Sequence, residues 1–155
     1  MTIHTFKMKL DWPGGRNAVG NLKAEQLQTQ ISIPPEMDGP GIGTNPDEML
    51  LGAAATCYLI TLAAMLERSE IDAKLDLTSE GLVDVTNGVF TYKEIHHYIV
   101  IALTEQTERA VRYSERYALK AEETCMISKA LKGNVWTTSV KNFRHIWALL
   151  PKLER

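Results

Sequence analysis

Two cysteines, Cys57 and Cys125, widely separated along the chain, are the side chains with most scope for chemistry. Only a thiolate attacks a peroxide effectively, and an unperturbed cysteine, with a pKa of ~8.5, is mostly protonated at neutral pH. Cys57 falls in the middle of an expected helix, out of reach of that helix's N-terminal dipole. Burial disfavours its anion further, so it needs a cation nearby. Arg16, in Gly14-Gly15-Arg16, is the free cation that suggests itself, because two glycines let the backbone approach another element closely. The competing reading is a solvated turn arginine. Cys125 is expected at the start of a short helix, where unsatisfied N–H groups favour a thiolate. Such a second thiol can condense with a Cys57 sulfenic acid to give a disulfide and stop over-oxidation. Sequence spacing does not establish proximity, and both cysteines also read as small buried hydrophobes.

Other chemistries find less support. A Cys-His hydrolase would pair Cys57 with His96 or His97, but adjacent strand residues face opposite ways and no orienting acid stands near them. Both histidines read as structural or surface residues. Zinc would need four converging ligands, and no CxxC or HxxxH spacing is present. Met49, Met65, Tyr58 and Trp12 suit the lining of an apolar peroxide pocket, although such residues more often fill a core.

The elements that must hold these residues follow from periodicity. Phe6, Met8, Leu10 and Trp12 alternate with charged residues as in a half-buried strand, Pro13-Gly14-Gly15 turns the chain, and extended stretches follow at residues 21–26 and 27–33. A three-stranded antiparallel opening is the simplest arrangement. Residues 34–45, rich in proline and glycine, are expected to form a loop without regular structure. Thr44-Asn45-Pro46-Asp47-Glu48 then supplies the caps, first-turn proline and acids of a helix start, predicting a helix from about Pro46 to Ser69. Apolar or small residues surround its circumference, so it should be enclosed by other elements.

Alternation returns at residues 73–78 and 90–103, with Thr86-Asn87-Gly88 as a hairpin turn. Residues 108–123 read as a helix, Met126 to Leu131 as a short one closed by Gly133, and residues 135–139 as a last strand. Residues 143–150 have no clear period. The order is α+β without βαβ alternation, which disfavours a dinucleotide-binding fold.

A chain of 155 residues, 45% hydrophobic, fits a single domain over residues 1–155. With a formal charge of -2 and no basic stripe, nucleic acid is not an expected partner. The uncharged stretch from Met49 to Leu66 is too rich in Ala and Thr, and slightly too short, for a bilayer span. No export signal is apparent, so a cytoplasmic setting with reduced thiols is expected, which favours a catalytic or transient disulfide over a structural one.

Three segments, taken in order, resemble the OsmC/Ohr (organic hydroperoxide resistance) family. Gly43 to Cys57, reading GTNPDEMLLGAAATC, is similar to the family's Asn-Pro-acid-acid-Leu…Ala-Ala-x-x-Cys segment. Ala121 to Leu131 resembles the region of the second family cysteine, and Gly14-Gly15-Arg16 resembles its arginine turn. The resemblance spans Trp12 to about Val140. It implies an OsmC-like fold, α+β, with antiparallel sheets wrapped around long buried central helices in an intertwined homodimer. It further implies a peroxidatic Cys57, a resolving Cys125, an activating Arg16 and an acid that orients the arginine. The expected substrates are organic hydroperoxides, including fatty-acid ones, with a dithiol or lipoylated protein as reductant and no metal or flavin. The main rival on the same fold is a stress-response or ligand-binding module whose thiols do not turn over.

Two departures stand out. The acid register falls on Asp47, where glutamate is usual, with Glu48 next to it. Along a continuous helix either would lie about 15 Å from Cys57, so the acid would have to come from a partner subunit or an uncoiled first turn. Met126 also follows Cys125, where proline is common.

Overall fold

The computed structural model describes residues 1–140. The unclear stretch at 143–150 lies outside them. Met1–Leu50 forms one compact unit and the chain from Leu51 onward a second.

The first unit is the expected antiparallel sheet, in shorter pieces. Strands β1 (Lys9–Asp11), β2 (Gly20–Lys23) and β3 (Gln28–Ile31) pair in that order, with Leu10 opposite Leu22 and Asn21 opposite Gln30. The half-buried strand expected from Phe6 to Trp12 is not found: β1 is exposed along its length, and Phe6 is 92% exposed. Leu22 is the unit's only fully buried hydrophobic among the described residues. The proline-glycine stretch is also more regular than expected, because Pro35–Met37 forms a 3-10 turn. Ser32 pins the rest of that stretch: its hydroxyl donates to Ile42 O at 2.8 Å and accepts from Ile42 N at 2.7 Å.

Helix α1 (Pro46–Arg68) starts where the capping residues predict. Pro46 takes the first position, where a missing N–H costs nothing. Asn45 Oδ1 accepts the Glu48 N–H at 2.9 Å, as an N-cap does. Enclosure is not met within one chain. Ala54, Tyr58, Leu62 and Leu66, at i,i+4 spacing, are buried, while Gly52, Ala53, Thr56, Ile60 and Ala63 are exposed. Among the described helices α1 alone is long and apolar enough to cross a membrane. Its buried stripe instead packs as a core helix packs.

In the second unit, β4 (Ala73–Thr86) and β5 (Val89–Leu103) form the expected hairpin. Asn87 and Gly88 both have positive φ, 52° and 74°, which a two-residue turn of this hand requires. Strand β6 (Trp136–Val140) adds to β5 in parallel, correcting the expectation of purely antiparallel sheets. The connection between β5 and β6 runs through α2 (Glu108–Thr124) and α3 (Met126–Leu131), so the chain contains one βαβ-type crossover where none was expected. Local alternation reveals a strand but not the direction of its neighbour. Helix α2 is capped by Thr107, whose Oγ1 accepts the Ala110 N–H at 3.1 Å.

Two apolar clusters fill this unit. Tyr58, Leu62 and Leu66 meet Ile71, Ile99 and Ile101 of the sheet and Ala110, Ala118 and Ala121 of α2. Nearer the thiols, Ala54, Ile95 and Val135 pack with Leu51, Ile127 and Leu131. Small alanines on α2 allow close approach, and Tyr58 and Leu62 supply the volume.

Candidate thiol site

Helix α1 places Cys57 at its middle, half-buried, and the α2–α3 corner places Cys125 fully buried. Cys125 is both the C-cap of α2, donating its N–H to Ala121 O at 2.9 Å, and the N-cap of α3. Its Sγ accepts the Ser128 N–H at 3.5 Å. This corner brings the two sulfurs together, so that the Cys125 thiol hydrogen-bonds to Cys57.

The environment drives the two thiols apart in acidity. Burial by itself raises the Cys57 pKa; the Cys125 thiol, then the backbone N–H groups of Ile127 and Met126 and the Thr61 side chain, reverse this and hold it below the ordinary cysteine range. Burial pushes the Cys125 thiol up, and its bond to Cys57 pushes it further; the backbone and hydroxyl of Ser128 and the backbone of Ile127 offset only part of that. The expectation that a helix start makes Cys125 the thiolate is therefore corrected. The α3 N–H groups serve both sulfurs, Met126 and Ile127 acting on Cys57 and Ser128 and Ile127 on Cys125, but at Cys125 burial and its bond to Cys57 outweigh them.

The other residues named from sequence, Arg16, Asp47 and Glu48, belong to the Met1–Leu50 unit. The Arg16 guanidinium donates to the carbonyls of Met37 and Asp38 and, at 2.9 Å, to Asn17 Oδ1. It clamps the 3-10 turn, as a structural turn arginine would. Asp47 and Glu48 occupy the first turn of α1, and Glu48 Oε2 accepts the Thr44 hydroxyl at 2.7 Å. Among the described residues neither carboxylate bonds to Arg16. Because α1 is unbroken from Pro46 to Arg68, about 15 Å of helix axis separates these acids from Cys57, and the uncoiled first turn is ruled out.

Thr61 was missed by sequence reasoning, and the N–H groups at the start of α3 were expected to act on Cys125 alone. The signal for Thr61 was available, since it stands four residues after Cys57 on the same helix face.

His96 and His97 are both bonded within the sheet. His97 is fully buried, stacked on Tyr58 with ring centroids 4.9 Å apart, and 2.7 Å from Ser79 Oγ through Nδ1. Burial, with His96 adding to it, lowers the His97 pKa to about 4. His96 lies between Thr138 and Glu94, at 2.7 and 2.9 Å. No metal-binding group of His, Cys, Asp or Glu exists among the described residues. Tyr58 and Met65 belong to the core rather than to a pocket wall. A cavity of about 740 Å³ is lined by Glu94, Glu122, Ser128, Lys129, Trp136 and Thr137 among others; neither cysteine lines it.

Comparison with known proteins fixes the family. The profile described as OsmC-like protein matches residues 39–140, a span that includes both cysteines. The chain belongs to the OsmC-like protein family. One relative, 56% identical over 137 residues and covering 87% of this chain and 91% of its own, is the uncharacterised protein YmaD of Bacillus subtilis. Another is the organic hydroperoxide resistance protein-like 2 of Staphylococcus saprophyticus, 24% identical over 134 residues, covering 84% of this chain and 90% of its own. The crystal structure of an organic hydroperoxide resistance protein OsmC from Legionella pneumophila matches with a TM-score of 0.71 at 24% identity, over 90% of this chain and 97% of that one. That likeness shows a shared mixed α+β fold.

Proposed function

We propose that this OsmC-like protein is a two-cysteine thiol peroxidase that reduces organic hydroperoxides, fatty-acid ones among them, to alcohols. The observation that carries the reading is the paired thiols, one below its ordinary pKa and the other above it. Relatives described as organic hydroperoxide resistance proteins support the substrate class.

In this reading the Cys57 thiolate attacks the distal peroxide oxygen and the O–O bond breaks. The alkoxide takes a proton and leaves as alcohol, and Cys57 becomes a sulfenic acid. Cys125 then loses its proton and attacks the Cys57 sulfur; the S–S bond forms and water leaves. An external dithiol or lipoylated protein restores both thiols by exchange. Such chemistry suits a cytoplasmic protein, in which a persistent disulfide would be reduced.

Arg16 and an acid, Asp47 or Glu48, enter this scheme through a homodimer. The acid has to come from the second copy, since α1 holds its own copy's acids away from Cys57. Exposed apolar side chains support such a dimer: Ile60 on α1, Phe6 and Leu10 near β1, and Val89 and Phe90 at the hairpin tip.

Intact-mass spectrometry tests the reaction. One equivalent of cumene hydroperoxide should remove two hydrogens per reduced chain. Cys57→Ser should abolish this, and Cys125→Ser should instead gain oxygens. An unchanged wild-type mass would leave a ligand-binding module as the better account.

A further inference from the structure

The cavity of about 740 Å³ has neither cysteine in its wall and no part in the proposed reaction, yet its volume is that of a small-molecule site. Its charges do not balance once the pairs within the chain are set aside. Glu94, Glu122 and Glu123 line it, and so do Lys93, Lys129 and Lys132. Each acid already has a partner: Glu94 Oε2 meets His96 Nε2 at 2.9 Å, Glu122 accepts the Thr137 hydroxyl, and Glu123 lies 3.9 Å from Lys120. Among the described residues none of the three lysines pairs with a carboxylate.

Two elements bring those lysines together. Lys129 and Lys132 stand three residues apart at the end of α3 and so share a face. Lys93 comes from a break in strand register: Leu82 pairs with Glu94 and Val83 with Tyr92, which leaves Lys93 as an extra residue on β5. Such a bulge re-aims a side chain, here one that lines the cavity. Ser128 adds a polar group to the same wall. It is 4% exposed, and its hydroxyl oxygen has no nitrogen or oxygen partner, an arrangement that is destabilising until something bonds to it. Trp136 adds an indole that is 69% exposed, a flat apolar face beside the buried Val135.

We propose that this cavity binds a small aromatic acid, its carboxylate held by the lysine ammonium groups and the Ser128 hydroxyl, and its ring laid against Trp136. A bare inorganic anion would leave the indole uncovered. A neutral ring would leave the lysines uncompensated, and a cationic ligand would meet acids that are already bonded. The site does not depend on the thiol chemistry proposed above.

Isothermal titration of the reduced, full-length chain with 2-naphthoate tests this. One saturable site per chain is expected. Acetate, which lacks the ring, and 2-naphthalenemethanol, which lacks the charge, should give no isotherm at the same concentrations. Trp136→Ala and the double variant Lys129→Ala/Lys132→Ala change exposed side chains and should each weaken binding by roughly fivefold or more. Lys74→Ala removes an exposed lysine outside the cavity and should follow wild type. The proposal is overturned if 2-naphthoate shows no saturation, if the neutral alcohol binds as tightly, or if either cavity variant keeps wild-type affinity. Loss of binding in Cys57→Ser would put the acid at the thiols and overturn it as well. A chain that binds 2-naphthoate in the expected pattern and reduces no hydroperoxide keeps this site and loses only the peroxidase reading.

Discussion

Cys57 and Cys125 begin with the same chemistry, and their difference comes from which groups face each sulfur. Cys57 collects donors from Cys125, Ile127, Met126 and Thr61, whereas Cys125 donates and sits deeper. The coupling is reciprocal, so removing one partner should move the other. Cys57→Ala should lower the Cys125 pKa, because the bond that favours its protonated form is gone, while burial keeps it above the ordinary range; peptide-resolved alkylation rates against pH would read this, and an unchanged Cys125 profile would contradict the pairing. His97 gives a second expectation at this scale. Its folded pKa of about 4 lies below the ordinary ~6.5, so the unfolded chain binds its proton first. Stability from the neutral ring is therefore complete above about pH 6.5 and is lost as pH falls toward 4. Thermal midpoints should drop across that window, and His97→Phe, which keeps a ring on Tyr58, should flatten the drop. Much of this was hidden in the sequence. The types of Cys57 and Cys125 announce thiol chemistry, but their acidities depend on backbone N–H groups, which every residue except proline carries and no side-chain pattern marks.

Elements were more legible where their signals are local. Asn45 and Pro46 mark the start of α1, and Asn87-Gly88 with flanking alternation marks the β4–β5 hairpin. Signals that depend on a distant neighbour were not legible. The parallel placement of β6 on β5 is one. The burial of α1 is another: its alanine-rich sequence is apolar all round, and only packing against Ile99, Ile101 and the α2 alanines selects the stripe through Tyr58, Leu62 and Leu66. That stripe predicts a sharp asymmetry between two neighbours on one helix. Leu62→Ala should cost roughly 2 to 5 kcal/mol, as for a large-to-small change in a packed core. Ala63→Ser, on the exposed side, should stay within about 0.5 kcal/mol. Chemical denaturation at one low protein concentration would compare them, and equal losses would mean that α1 buries a different face.

The molecule as a single chain leaves more apolar surface open than its length requires. The Met1–Leu50 unit buries Leu22 but exposes Ile3, Phe6, Met8, Leu10 and Trp12, and the hairpin tip exposes Leu82, Val85, Val89 and Phe90. On α1, Ile60 is 64% exposed beside Ala63, and both line a groove of about 720 Å³ with Ile71 and Leu75 of the same unit. Solvent-facing aromatic and branched residues in such numbers are a liability in a monomer, and burial in a second copy removes it at about 25 cal/mol per Å² of apolar area covered. The proposed homodimer also answers a chemical need, since α1 sets Asp47 and Glu48 apart from its own Cys57. Assembly and thiol reactivity should therefore fall together. Sedimentation velocity should give twice the chain mass at micromolar concentration. Ile60→Lys should shift the chain toward monomer, because a lysine there would have to lose water to be covered, while the buried stripe on the far side of α1 is untouched. Disulfide formation by hydroperoxide should slow in the same variant and recover as its concentration is raised. A wild-type monomer at high concentration would remove the dimer from the scheme, and an Ile60→Lys monomer that reacts at the wild-type rate would show that one chain holds everything the thiol chemistry needs.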